Sequence, residues 1–293
     1  MAQKGGAPHP CSADGIPAQH YHATARCGKE LLPAGIKGYK EVVRVRMTFE
    51  NEHSKRKENR KRIEIIDALR GLAVVLMVIH HFLYDCVEFL DGPAWLFSNP
   101  VFDILHYLFA GLFIFLSGVS SRFSRSNIKR GLIVIAVAVV ITIVTYLMEM
   151  QILFGILHLL GFSMVFFGLT RKFWDLIQGK FTVIVYVILI AIGAIVTGYI
   201  DINSEYLWMF GWTYPGFVSY DYFPIIPWLF VFLLGTWAGI YIAEHRLPDE
   251  FYTFKVPLFP AIGRKALIIY ILHQPVLYGL TMFISFITGA RNT

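Results

Sequence analysis

Residues 63–84 read Ile-Glu-Ile-Ile-Asp-Ala-Leu-Arg-Gly-Leu-Ala-Val-Val-Leu-Met-Val-Ile-His-His-Phe-Leu-Tyr. Between Arg70 and His80 every position is apolar or glycine. A helix that crosses lipid needs about 20 mostly apolar residues, so this stretch predicts a membrane span carrying a few ionisable groups. Six further runs of similar character follow, near 100–121, 131–150, 152–170, 181–200, 223–243 and 265–287, the first run being placed at 64–84. A tight turn around Glu149 to Gln151 is expected between the third and fourth. The expected fold class is therefore all-α, a polytopic membrane helical bundle of about seven transmembrane helices.

The composition agrees. Of 293 residues, 56% are hydrophobic and only 16% are charged, too few charges to cover a soluble domain of this size. The net charge of +6 does not form a soluble basic face. It lies in short segments between apolar runs, which speaks for membrane orientation and against a nucleic-acid partner. Cys11, Cys27 and Cys86 are odd in number and widely spaced, giving neither a disulfide framework nor a zinc pattern.

The chain divides into a polar N-terminal segment, 1–62, with no apolar core of the kind a signal peptide needs, and a membrane region, 63–293. Within the first, residues 1–46 resemble no domain. Lys40-Glu41-Val42 is what a ribosome-binding purine run gives when translated, and Met47 follows, so synthesis is expected to start at Met47.

Lysine and arginine favour cytoplasmic loops. The patch Lys55–Arg62 precedes the first span; Arg122, Arg125, Lys129 and Arg130 follow the second; Arg171, Lys172 and Lys180 follow the fourth; Arg246, Lys255, Arg264 and Lys265 follow the sixth. The alternate loops, 91–99, 149–151 and 201–222, contain no Lys or Arg. This alternation places the N-terminus in the cytoplasm and the C-terminus outside, with the cell membrane as the expected location. The two halves show no internal duplication, unlike transporters built from inverted repeats.

An ionisable group inside a span is costly and points to function by default. Arg70 and His81 are eleven residues apart, about three helical turns at about 100° per residue, so they share one face of the first span, roughly 16 Å apart along the axis. The bland reading of Arg70 is a pair with Asp67. His80 is rotated off that face and is expected at the membrane interface. Asp103 and His106, three apart, lie near the outer end of the second span, and His158 lies in the outer half of the fourth. A carboxylate beside an imidazole fixes its tautomer and raises its basicity, so Asp103 is expected to orient His81, with His158 as a further catalytic candidate. His273 adjoins Pro275, where it is expected to satisfy backbone groups freed by the kink. The aromatic residues of 201–222 read first as an interfacial belt, second as a platform for a sugar. The GxxxG at Gly235–Gly239 most simply permits close helix packing.

Asp67-Ala-Leu-Arg70-Gly71 followed by His81 resembles the Arg–x10–His signature of acyltransferase-3-type membrane enzymes. FIFLSG (113–118), FGILHLLG (154–161), DYFPIIPW (221–228) and GRKALIIYILHQP (263–275) further resemble the bacterial relatives of heparan-α-glucosaminide N-acetyltransferase. The resemblance runs over about 62–282. It implies transfer of an acetyl or other acyl group from cytosolic acetyl-CoA to an amine or hydroxyl of a glycan or amino sugar on the far side, with histidine as the active residue. On that reading His81, Asp103 and His158 are catalytic. Arg70, Arg122, Arg125, Lys129, Arg130 and Arg264 hold the CoA phosphates, and His106, Asp221 and Tyr222 contact the acceptor. No metal is expected. The expected partners are membrane lipid, acetyl-CoA, the acceptor and, as an option, further copies of the chain. The competing reading is a proton-coupled small-solute transporter using the same His/Asp groups as a relay; a third is a non-catalytic membrane subunit.

Overall fold

A computed structural model describes residues 63–202 and 204–289. The polar segment 1–62, with the expected start at Met47, lies outside the described residues. Among the described residues ten α-helices follow one another, with one 3-10 turn at Trp208–Phe210: α1 (Glu64–Phe89), α2 (Trp95–Ser98), α3 (Pro100–Arg122), α4 (Asn127–Leu147), α5 (Ile156–Leu176), α6 (Thr182–Tyr199), α7 (Ile225–Ala243), α8 (Asp249–Thr253), α9 (Phe259–Arg264) and α10 (Ala266–Thr288). Seven of them are long and apolar enough to cross a membrane. The chain is a polytopic, all-helical membrane bundle. Among the described residues, extended pairing is confined to one bridge, Phe154 with Tyr222.

Local chemistry sets the helix ends. Pro100 opens α3, where a missing N–H costs nothing, and the Asn99 side chain accepts the Val101 N–H at 3.0 Å. Ser126 caps α4 by accepting from the Lys129 N–H. Gly289, with φ +71°, closes α10 in the left-handed conformation that glycine tolerates.

Several boundaries differ from the sequence reading: the third span is Asn127–Leu147 where 131–150 is expected, and the fourth, Ile156–Leu176, runs six residues past 170. The first span extends beyond residue 84 to Phe89, because α10 gives its polar and aromatic residues partners. Gln274 donates to Asp85, and Phe89 meets Tyr278 at 5.3 Å between ring centroids. The fourth span starts at Ile156, since residues 151–154 are drawn into pairing with the loop before α7: Tyr220 N–H donates to Gln151 O and Phe223 N–H to Phe154 O.

Helix crossings rest on glycine. A Cβ on Gly118 would fall 2.0 Å from the Phe232 carbonyl oxygen, and one on Gly235 2.0 Å from that of Phe115, so α3 and α7 touch backbone to backbone. Gly239, the second member of the GxxxG, lies against Val119 and Arg122 one turn further on. Gly71 and Gly263 bring α9 equally close to α1. The buried core between α3, α5 and α7 is built on Ile114, Leu159, Phe167, Phe232 and Leu233.

These contacts also gather the basic end. Arg70 Nη1 pairs with Asp67 at 2.9 Å and Nη2 donates to Ser120 of α3. Arg122 Nε donates to the Thr236 carbonyl of α7 at 2.8 Å, Nη1 pairs with Asp175 of α5, and the guanidinium lies 4.8 Å from the Phe167 ring centroid. The start of α1 and the ends of α3, α5 and α7 therefore share one side of the bundle.

Candidate active site

In the opposite half, α1, α3, α10 and the loop before α7 enclose a cavity whose polar lining is His80, His81, His106, Asp221 and Tyr270. Adjacent positions on α1 point about 100° apart, so His80 and His81 address different neighbours. His80 meets His106 of α3 at 4.5 Å between ring centroids, and His81 meets His273 of α10 at 5.0 Å. With 5.8 Å between His80 and His81 themselves, four imidazoles from three helices form a continuous row.

His273 has a defined tautomer. Its Nδ1 lies 2.7 Å from the Tyr270 carbonyl oxygen, which can only accept, so Nδ1 carries the proton and Nε2 keeps its lone pair. That Nε2 is buried without a hydrogen-bond partner. Tyr270 turns its other end to the loop before α7, where its hydroxyl donates to Asp221 Oδ2 at 3.0 Å. The same carboxylate oxygen accepts the Ile156 N–H at 3.0 Å, a negative group at the first turn of α5. Gly155 makes room for it: a Cβ there would lie 2.3 Å from Asp221 Oδ2. Burial raises the Asp221 carboxyl above its ordinary value, and the hydrogen bonds from Ile156 and Tyr270 partly offset that.

The expected site residues are only partly brought together. His81, His106 and Asp221 line one cavity. Asp103 is exposed on α3, and no hydrogen bond joins it to His81. His158 has both ring nitrogens engaged in the α4–α5 connection: Nδ1 accepts the Gly155 N–H at 3.3 Å, which leaves Nε2 to donate to Thr142 Oγ1 at 3.2 Å. Thr142 passes its own proton to the Ile152 carbonyl. Tyr222 points away from the cavity, its hydroxyl donating to the Trp208 carbonyl, and burial pushes that hydroxyl up to about 12. Arg70 and Arg122 are tied into the bundle, whereas Arg125, Lys129, Arg130 and Arg264 are exposed. Arg70 and His81, expected on one face, reach different helices, α3 and α10.

Three residues at or near the cavity have no functional role in the sequence reading. His80 was expected at the interface, but α1 continues to Phe89, which puts His80 inside the cavity wall. The doubled His80–His81 was the available signal, since two adjacent imidazoles on a helix reach two neighbours. His273 bonds a backbone carbonyl through Nδ1, but that of Tyr270, whereas the carbonyl that Pro275 leaves without its helix donor is that of Ile271. Asp85, 1% exposed, lay just past the expected end of the first span. Among the described residues no set of three or more His, Cys, Asp or Glu is placed to hold a metal ion.

Residues 62–275 match the family model described as heparan-alpha-glucosaminide N-acetyltransferase, catalytic. No curated protein and no solved structure matches the chain.

Proposed function

The chain belongs to the heparan-alpha-glucosaminide N-acetyltransferase catalytic family, and on that premise we propose that it carries an acetyl group from acetyl-CoA at the basic end of the bundle to an amine or hydroxyl of a glycan or amino sugar in the histidine cavity. That it is a membrane acetyltransferase follows from the family and the seven apolar helices. The donor, the acceptor and the cell membrane as its location are our reading. Family membership favours it over proton-coupled transport.

The observation that carries the proposal is the row of imidazoles beside the cavity, in a bundle whose basic residues gather at the other end. The exposed Arg125, Lys129, Arg130 and Arg264 suit the phosphates of CoA. Arg70 and Arg122 support them from within the bundle. The rise of roughly 16 Å along α1 from Arg70 to His81 is of the order of the pantetheine arm, which brings the thioester to His81. There His81 removes the proton from the acceptor as its nitrogen or oxygen attacks the acetyl carbon. The new bond to carbon forms, the carbon–sulfur bond breaks, and the departing thiolate takes up the proton. His106 and Asp221 hold the acceptor.

The test uses purified protein in nanodiscs with acetyl-CoA and glucosamine, following release of the CoA thiol and the acetylated sugar. Wild type should form both in equal amounts. His81→Ala should lower kcat by about 100-fold or more, within the range for a lost general base. Full activity in that variant overturns the assignment.

A further inference from the structure

The imidazole row beside the cavity leaves one buried carboxylate unexplained. Asp85 sits one turn beyond His81 on α1, at the i+4 position that shares its face. It is 1% exposed. Oδ1 accepts from Gln274 Nε2 at 3.1 Å, and Oδ2 is buried with no hydrogen-bond partner. Gln274 follows His273, whose ring lies against His81. Asp85 and His81 thus face His273 and Gln274 across the α1–α10 seam. The buried polar atoms left over there, Asp85 Oδ2, Gln274 Oε1 and His273 Nε2, all accept and none donates.

A buried carboxylate with a single amide donor is costly unless something repays it. A structural clamp alone would be served better by a neutral pair, because an amide in place of the carboxylate accepts the same Gln274 bond. An excess of acceptors is suited to a state in which a proton arrives. Such a state occurs in the proposed transfer, when an imidazole holds the acceptor's proton before the thiolate takes it up.

We propose that Asp85 is a positioning residue for acetyl transfer: its buried carboxylate is the counter-charge for the imidazolium that forms in the His81–His273 pair during each turnover. The balance is that of the proposed reaction. The acceptor gives its proton to imidazole nitrogen, the bond to acetyl carbon forms as the carbon–sulfur bond breaks, and the imidazolium returns the proton to the thiolate. Asp85 touches none of the reacting atoms; it acts through the imidazoles by opposing their transient positive charge, as a carboxylate does beside a catalytic histidine. His273, with Nδ1 committed to Tyr270, contributes its Nε2 lone pair as the second seat for that proton.

The inference rests on the acetyltransferase reading, so wild type and His81→Ala are assayed alongside. Asp85→Asn keeps the Gln274 bond and removes only the charge. It should fold, keep its KM for acetyl-CoA within about twofold, and lose at least about tenfold in kcat. Asp85→Glu should recover part of the loss. Gln274→Ala breaks the clamp but keeps the carboxylate, and should cost less kcat than Asp85→Asn. Wild-type kcat in Asp85→Asn, with His81→Ala inactive, overturns the role of Asp85 and leaves the transferase reading standing. Wild-type kcat in His81→Ala overturns the transferase site itself. Should Asp85→Asn fail to fold, kcat of Asp85→Glu decides. A loss at unchanged KM supports the counter-charge, because the carboxylate is moved and not removed, and wild-type kcat overturns it.

Discussion

Gly155→Ala tests how the loop before α7 is joined to the histidine cavity. The added Cβ would lie 2.3 Å from Asp221 Oδ2 and 2.9 Å from Ile152 Cγ2. Normal contact is a little over 3 Å, so the carboxylate has to retreat by about 1 Å, whereas the end of Ile152 can rotate away. Asp221 Oδ2 accepts from both Ile156 N–H and Tyr270 O–H at 3.0 Å. A retreat of that size stretches both contacts beyond hydrogen-bond range. Bonds to a charged group contribute roughly 1.5–3 kcal/mol each, and the freed carboxylate regains part of that from water, so the expected loss is about 2–4 kcal/mol. Thermal unfolding in detergent should show a fall in Tm on the order of 5–10 °C. The decisive measurement is a double-mutant cycle. If the damage passes through Asp221, then Gly155→Ala should cost little more once Asp221→Ala is present. Equal losses in both backgrounds, or a Gly155→Ala melt within about 1 °C of wild type, would refute the reasoning.

Other outcomes are expected. Because burial raises the folded-state Asp221 carboxyl, the folded protein holds that proton more tightly than the unfolded chain does. Asp221 therefore stabilises increasingly as pH falls from its folded value toward the ordinary 3.8, and the Tm of wild type relative to Asp221→Asn should rise on acidification across that window. His158→Ala removes the bonds to Thr142 and Gly155 and should lower stability by about 1–3 kcal/mol, with kcat falling far less than in His81→Ala; equal losses of kcat would place His158 in the chemistry. Gly235→Ala forces the Phe115 carbonyl away from a Cβ at 2.0 Å and should cost about 1–3 kcal/mol or more, read by thermal melting. Arg122→Lys cannot reach both the Thr236 carbonyl and Asp175, and should lower stability by about 1–2 kcal/mol.

Span number and type were legible because lipid imposes a length and a polarity that composition records directly. Gly235 and Gly239 announced a close crossing, and α3 supplies it through Phe115 and Val119. The site was legible only in outline. His81 and His106 could be placed in the same half from helical rise alone, but which helices stand side by side has no local signature. Asp103 and His158 were grouped with His81 on depth, and depth does not distinguish neighbours from residues across the bundle. Asp85 attracts no reading from sequence, and His80 reads as interfacial, for a related reason. Asp85 and Glu88, soon after His81, look like the end of a span until Gln274 and Tyr278, almost 200 residues later, are known to pack against Asp85 and Phe89.

The placement of α10 bears on how the molecule is made. Pairs formed by consecutive spans, α4 with α5 and α6 with α7, can assemble soon after insertion. The partners at the cavity and along the α1–α10 seam come later: Tyr270 for Asp221, His273 for His81 and Gln274 for Asp85 all belong to α10. Until α10 is in place, the buried Asp85 lacks the amide that Gln274 donates to it. A chain stopped before residue 266 would carry six inserted spans and an acidic group in lipid with no donor to meet it. The seam that receives Asp85 therefore closes only when α10 docks against α1, after every other described span is already in lipid.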